Sequence, residues 1–82
     1  MKKFHYFDSN EVILGDIVRG PRGRLGRVER IIQPGGTESI SFDCPEGGVL
    51  FMFAANGVES PLLMPPPDGL YWEDIEFLGR SK

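Results

Sequence analysis

Three glycines within seven residues, Gly20, Gly23 and Gly26, stand with Pro21 between two runs of strand-favouring side chains. In a helix each glycine would cost about 1 kcal/mol relative to alanine. Between strands the same residues permit positive φ and a bulge. The stretch from Gly15 to Ile32 therefore reads as strand, glycine-rich turn, strand. The first strand is expected over Val12 to Arg19 and the second over Leu25 to Ile32. Val28 and Ile32 share one parity and Ile31 has the other, so the second strand either carries a bulge or is buried on both faces.

The rest of the chain continues in strand-sized pieces. Pro34-Gly35-Gly36 is a turn. Ser39 and Ser41 alternate with Ile40 and Phe42, which predicts a half-buried third strand over Thr37 to Asp43. Val49 to Ala54 is apolar throughout and reads as a central strand. Asn56-Gly57 suits a two-residue hairpin turn. Val58 to Leu63 follows as a strand that Pro61 confines to an edge. Pro65-Pro66-Pro67 is extended and Asp68-Gly69 turns. Leu70-Tyr71-Trp72 and Ile75 to Leu78 close the chain, with room for a turn of helix at Glu73-Asp74. Eleven glycines and seven prolines suit such a turn-rich chain. The expected architecture is one all-β domain over residues 1–82, a meander of five or six antiparallel strands closed into a small barrel.

Gly15-Asp16-x-Val18, followed by Gly23-x-x-Gly26-x-Val28-x-x-Ile31, resembles the strand–loop–strand signature of KOW-type small barrels. These are the Src-homology-three-like folds of ribosomal proteins and transcription elongation factors. The resemblance covers about a quarter of the chain. It implies a Src-homology-three-like barrel and, as one function, nucleic-acid binding through the arginine-rich hairpin. The chain as a whole, from Phe7-Asp8 to Glu73-Asp74-Ile75-Glu76-Phe77-Leu78, also resembles short uncharacterised bacterial proteins. Some small acidic proteins of that kind are immunity partners of secreted toxins.

Composition narrows the function classes. Hydrophobic residues make up 40% of 82, enough for one modest core. Cys44 is the single cysteine, so the chain forms no internal disulfide and no cysteine metal cluster. The basic, aromatic N-terminal strip lacks the apolar core of a secretory signal. No apolar run approaches the roughly 20 residues of a membrane span. A cytoplasmic location is the expectation. His5 and Cys44 are the two residues best suited to nucleophilic catalysis, and nothing places them within reach of each other or of an orienting group. The chain is read as a non-enzyme, with no cofactor and no metal.

Charge supplies the candidate sites. The net charge is −3, yet Arg19, Arg22, Arg24, Arg27 and Arg30 crowd one hairpin. From Ile31 to Gly79 no lysine or arginine occurs, while acids accumulate. Glu73, Asp74 and Glu76, with Trp72 or Tyr71 as an aromatic anchor, form a candidate surface for a basic protein partner. On this reading the chain is a non-catalytic interaction module, of an immunity-like or regulatory kind. Solubilising surface charge is the plain reading of the same acids. The five arginines are the candidate contacts of the alternative, a nucleic-acid-binding module. Their plain reading is pairing with the acids of the same chain. Gly20-x-x-Gly23-x-x-Gly26 lacks the Lys-Ser/Thr of a phosphate loop. An exposed edge at Val49–Ala54 or Val58–Met64 would permit homo-oligomers alongside either function.

Overall fold

The computed structural model describes residues 3–67, 69 and 71–80. It holds five strands: β1 (Asp16–Arg19), β2 (Leu25–Ile32), β3 (Gly48–Ala55), β4 (Val58–Met64) and β5 (Glu76–Arg80). One short helix, α1 (Thr37–Ser41), lies between β2 and β3. All neighbouring strands are antiparallel, in the order β4-β3-β2-β1-β5. The fold is all-β, as expected. The ladder is open, with β4 and β5 as its edges, so the pairing does not close into a barrel among the described residues.

Local chemistry accounts for most of the hairpins. At Asn56 and Gly57, φ is +53° and +79°, the two left-handed residues that a tight hairpin turn requires. In β2, Val28 and Ile32 are buried while Glu29 and Arg30 are both exposed. The register against β3 shifts between Val28 and Arg30, so the mixed parity of the sequence comes from a bulge. A second shift sits between Ile17 and Val18 where β1 meets β5.

Two expected elements differ. The strand predicted over Thr37 to Asp43 is helical at Thr37–Ser41. Ser39 is buried and its hydroxyl donates to the Gly36 carbonyl at 2.6 Å, while Ile40 is 80% exposed. The expected burial is reversed at Ser39 and Ile40, while Ser41 stays exposed and Phe42 half-buried; a serine hydroxyl that bonds the local backbone competes with a sheet ladder. The first strand begins at Asp16 rather than Val12. Ile13 N–H donates to the Asp16 carboxylate at 2.9 Å and Asp16 N–H to the Ile13 carbonyl at 3.1 Å, which turns the chain before β1. The expected Asp68-Gly69 turn and the Leu70 end of the closing segment fall partly outside the described residues.

The core lies on one face of the sheet. Val18, Val28, Val49, Phe51 and Phe53 meet Phe4, Tyr6 and Val12 from the N-terminal segment and Trp72 and Ile75 from the segment before β5. Trp72 stacks on Phe4 at 5.6 Å and meets Phe51 edge-on at 5.8 Å. Its indole N–H donates to the Pro65 carbonyl at 2.7 Å, which satisfies the one polar atom it buries. The N-terminal segment doubles back on itself: His5 bridges Glu11, and Val12 N–H donates to the Phe4 carbonyl at 2.8 Å. That turn carries Phe4 and Tyr6 into the core. Phe7, just after Tyr6, stays 73% exposed.

Candidate interaction site

The N-terminal turn and the segment entering β5 come together as the two sides of an open groove of about 510 Å³. Tyr6, Phe7 and Asp8 line it from the first segment, and Tyr71, Trp72, Glu73, Ile75, Glu76 and Phe77 from the second. The floor is aromatic and fixed. Tyr6 stacks on Phe77 at 4.9 Å. Trp72 is 5% exposed, so it supports the groove from the core rather than standing out as an anchor. The accessible rings are Phe7 and Tyr71, which meet edge-on at 5.0 Å.

Three carboxylates, Asp8, Glu73 and Glu76, lie beside these rings. Asp8 also shapes the turn by accepting from the Asn10 N–H at 3.1 Å. Glu76 meets Arg19 at 3.5 Å, with both side chains at least half exposed. Such a pair contributes about 0–1 kcal/mol. Asp74 stands apart from this groove. With Met64 to Pro67 and Gly69 it lines an adjoining cleft of about 370 Å³ that shares Tyr71, Trp72 and Glu73.

The groove thus gathers Tyr71, Trp72, Glu73 and Glu76 from the sequence-derived acidic face. It adds Tyr6, Phe7, Asp8 and Phe77, which charge counting did not single out. The signal for them was present in the closely spaced Phe4, Tyr6 and Phe7 followed by an Asp8-Ser9-Asn10 turn. Only the folding of that strip onto β5 makes it part of a site.

The five arginines do not act as one patch. Arg19 meets Glu76, Arg27 meets Glu29 at 3.2 Å and Glu59 at 2.6 Å, and Arg30 pairs with Glu38. Hydrogen bonding to Glu59, reinforced by its charge, raises the Arg27 pKa, and the reciprocal bond lowers that of Glu59. Arg22 and Arg24 have no ion pair among the described residues, and both are exposed. The plain reading of the arginines therefore holds for three of the five.

The residues of the catalytic question occupy different elements. His5 is exposed in the bridge to Glu11, and Cys44 is half-buried after α1, its N–H donating to the Ser39 carbonyl at 2.8 Å. Among the described residues no helix is long and apolar enough to cross a membrane. No family model, curated protein or solved structure matches the chain.

Proposed function

We propose that this chain is a non-catalytic protein-interaction module whose acid-lined aromatic groove takes a basic segment of a partner protein. The observation that carries this reading is the convergence of two accessible rings, Phe7 and Tyr71, with Asp8, Glu73 and Glu76 over a packed floor. Aromatic side chains supply contact area at low entropic cost, and carboxylates beside them favour lysine and arginine. A basic protein that normally meets nucleic acid presents that chemistry, which suits an immunity-like or regulatory partner. Nucleic-acid binding by the arginine hairpin draws less support, because Arg19, Arg27 and Arg30 are engaged by glutamates.

The test is capture from native lysate with and without nuclease treatment, run in parallel with wild-type protein and a Phe7→Ala/Tyr71→Ala/Glu73→Lys variant. A discrete basic protein retained by the wild type and lost by the variant is the expected result. Identical captures by both, or capture abolished by nuclease, would overturn the reading.

A further inference from the structure

A second recess lies on a different part of the surface, beside the β1–β2 connection. It has a volume of about 260 Å³ and is more apolar than polar. Arg22 and Arg24 border it from the connection, Ser60, Pro61 and Leu62 from β4, and Phe53 from β3. Phe53 is buried, so this end of the recess is rigid. The two arginines bordering it are the same two that lack an ion pair among the described residues.

The loop that presents them is pre-organised by its own backbone. Gly20 N–H donates to the Arg24 carbonyl at 2.8 Å, Gly23 N–H to Gly20 at 3.1 Å and Arg24 N–H to Pro21 at 3.5 Å. Arg22 itself sits at φ +64°, ψ +21°, a left-handed conformation that a non-glycine residue adopts at some cost. The backbone thus places Arg22 and Arg24 at the rim of a recess of about 260 Å³.

We propose that this slot binds an acidic protein segment, seating one apolar side chain against Phe53 and Leu62 while Arg22 and Arg24 take flanking carboxylates. Guanidinium and carboxylate match in geometry as well as charge. A nucleic-acid strand fits the surroundings less well. The neighbouring arginines are already neutralised, and Glu59 and Glu76 flank the hairpin, so no basic track continues from the loop to follow a phosphate backbone. The slot and the Tyr71 groove have no lining residue in common, so this proposal stands independently of the function proposed for that groove.

The test is an NMR titration of the isotope-labelled full chain with a capped pentapeptide, Glu-Asp-Phe-Asp-Glu, at low salt. Matched titrations use the same peptide with alanine for phenylalanine, and oligouridylate. The expected result is saturable shifts confined to residues 20–26, Phe53, Ser60 and Leu62. Affinity should fall by at least about tenfold for the alanine peptide and for Arg22→Gly/Arg24→Gln, as expected when a charge contact or an anchor is removed. Glycine suits the left-handed position, and Arg24→Gln alone, on extended backbone, repeats the test with the turn untouched. Absence of saturation at millimolar peptide, shifts centred on Tyr71 instead, or tighter binding of oligouridylate at the same residues would each overturn the proposal.

Discussion

The Tyr6 hydroxyl donates to the Asp16 carboxylate at 2.9 Å, and Asp16 is 1% exposed. That carboxylate also accepts from the Ile13 N–H and, at 3.3 Å, from the Arg80 guanidinium. Arg80 donates in turn to the Glu11 carbonyl at 2.8 Å and lies over the Phe77 ring at 5.2 Å. One buried acid therefore ties the N-terminal segment, the start of β1 and the end of β5 together. The aromatic groove is built on that junction. Removing Asp16 takes the acceptor from Tyr6 and Ile13 and loosens Arg80, which keeps solvent and the Glu11 carbonyl, whereas removing the Tyr6 hydroxyl strands no donor, because Asp16 keeps its other partners. Tyr6→Phe is expected to cost about 1–2 kcal/mol, and Asp16→Ala about 3–5 kcal/mol. Equilibrium denaturation with urea measures both. Equal losses for the two variants would show that the carboxylate is not the hub.

The same contact sets an alkaline limit. Burial, then the hydrogen bond and charge of Asp16, raise the Tyr6 phenol above its ordinary value of 10.0. A raised folded-state pKa gives stability that is complete below the unfolded value and declines as pH rises through the folded one. The protein is therefore expected to lose stability progressively above about pH 10. Tyr6→Phe removes this contribution and flattens that part of the curve. Denaturation midpoints between pH 9 and pH 11 would reveal it. A wild-type slope equal to that of Tyr6→Phe would refute the assignment.

Close packing under the arginine loop gives a contrast between glycines. A Cβ on Gly26 would meet the Phe53 ring and also the Met52 carbonyl oxygen at 2.7 Å, which as backbone cannot swing away. A Cβ on Gly23 would meet nothing within 4 Å, so alanine there bears only the cost of φ +72°. Gly26→Ala should lose about 2–3 kcal/mol from overpacking, and Gly23→Ala about 1 kcal/mol from backbone strain. For a domain of this size each kcal/mol moves Tm by roughly 4–8 °C. Thermal melts that rank the two variants the other way would mean the β2–β3 contact is looser than the structure places it.

These examples mark how far the sequence could be read. β2, β3 and β4 were legible because their cues are local: apolar runs, glycine-bounded turns, and an Asn-Gly pair at the hairpin. The parity of Val28, Ile31 and Ile32 left a bulge or burial on both faces open, and the register shift between Val28 and Arg30 decides for the bulge. Helix α1 was not legible, because five residues satisfy a strand pattern and a helix pattern equally, and the Ser39 hydroxyl bond to the Gly36 carbonyl cannot be read from spacing. Glu73 and Glu76 followed from charge counting, whereas Asp8 did not and Asp74 belongs to the adjoining cleft. Phe7 and Phe77 did not follow, because their place in one groove depends on Tyr6 and Asp16 holding opposite ends of the chain together.

The open edge at β4 yields the last prediction. Edge strands offer unpaired backbone donors and acceptors to other chains, and proteins blunt them with proline and charge. β4 carries both, in Glu59 and Pro61, the latter paired opposite Met52. Pro61 has no N–H, so its ladder position tolerates it only if that donor would have faced away from β3. Replacing it with threonine restores a donor on the open side and raises strand propensity there. Pro61→Thr is therefore expected to shift the protein toward dimers and larger species as concentration rises, while leaving its circular dichroism unchanged. Sedimentation velocity over a hundredfold concentration range measures this. Indistinguishable profiles for the variant and the wild type would show that Pro61 does not guard the edge, leaving Glu59 and the short strand length to do so.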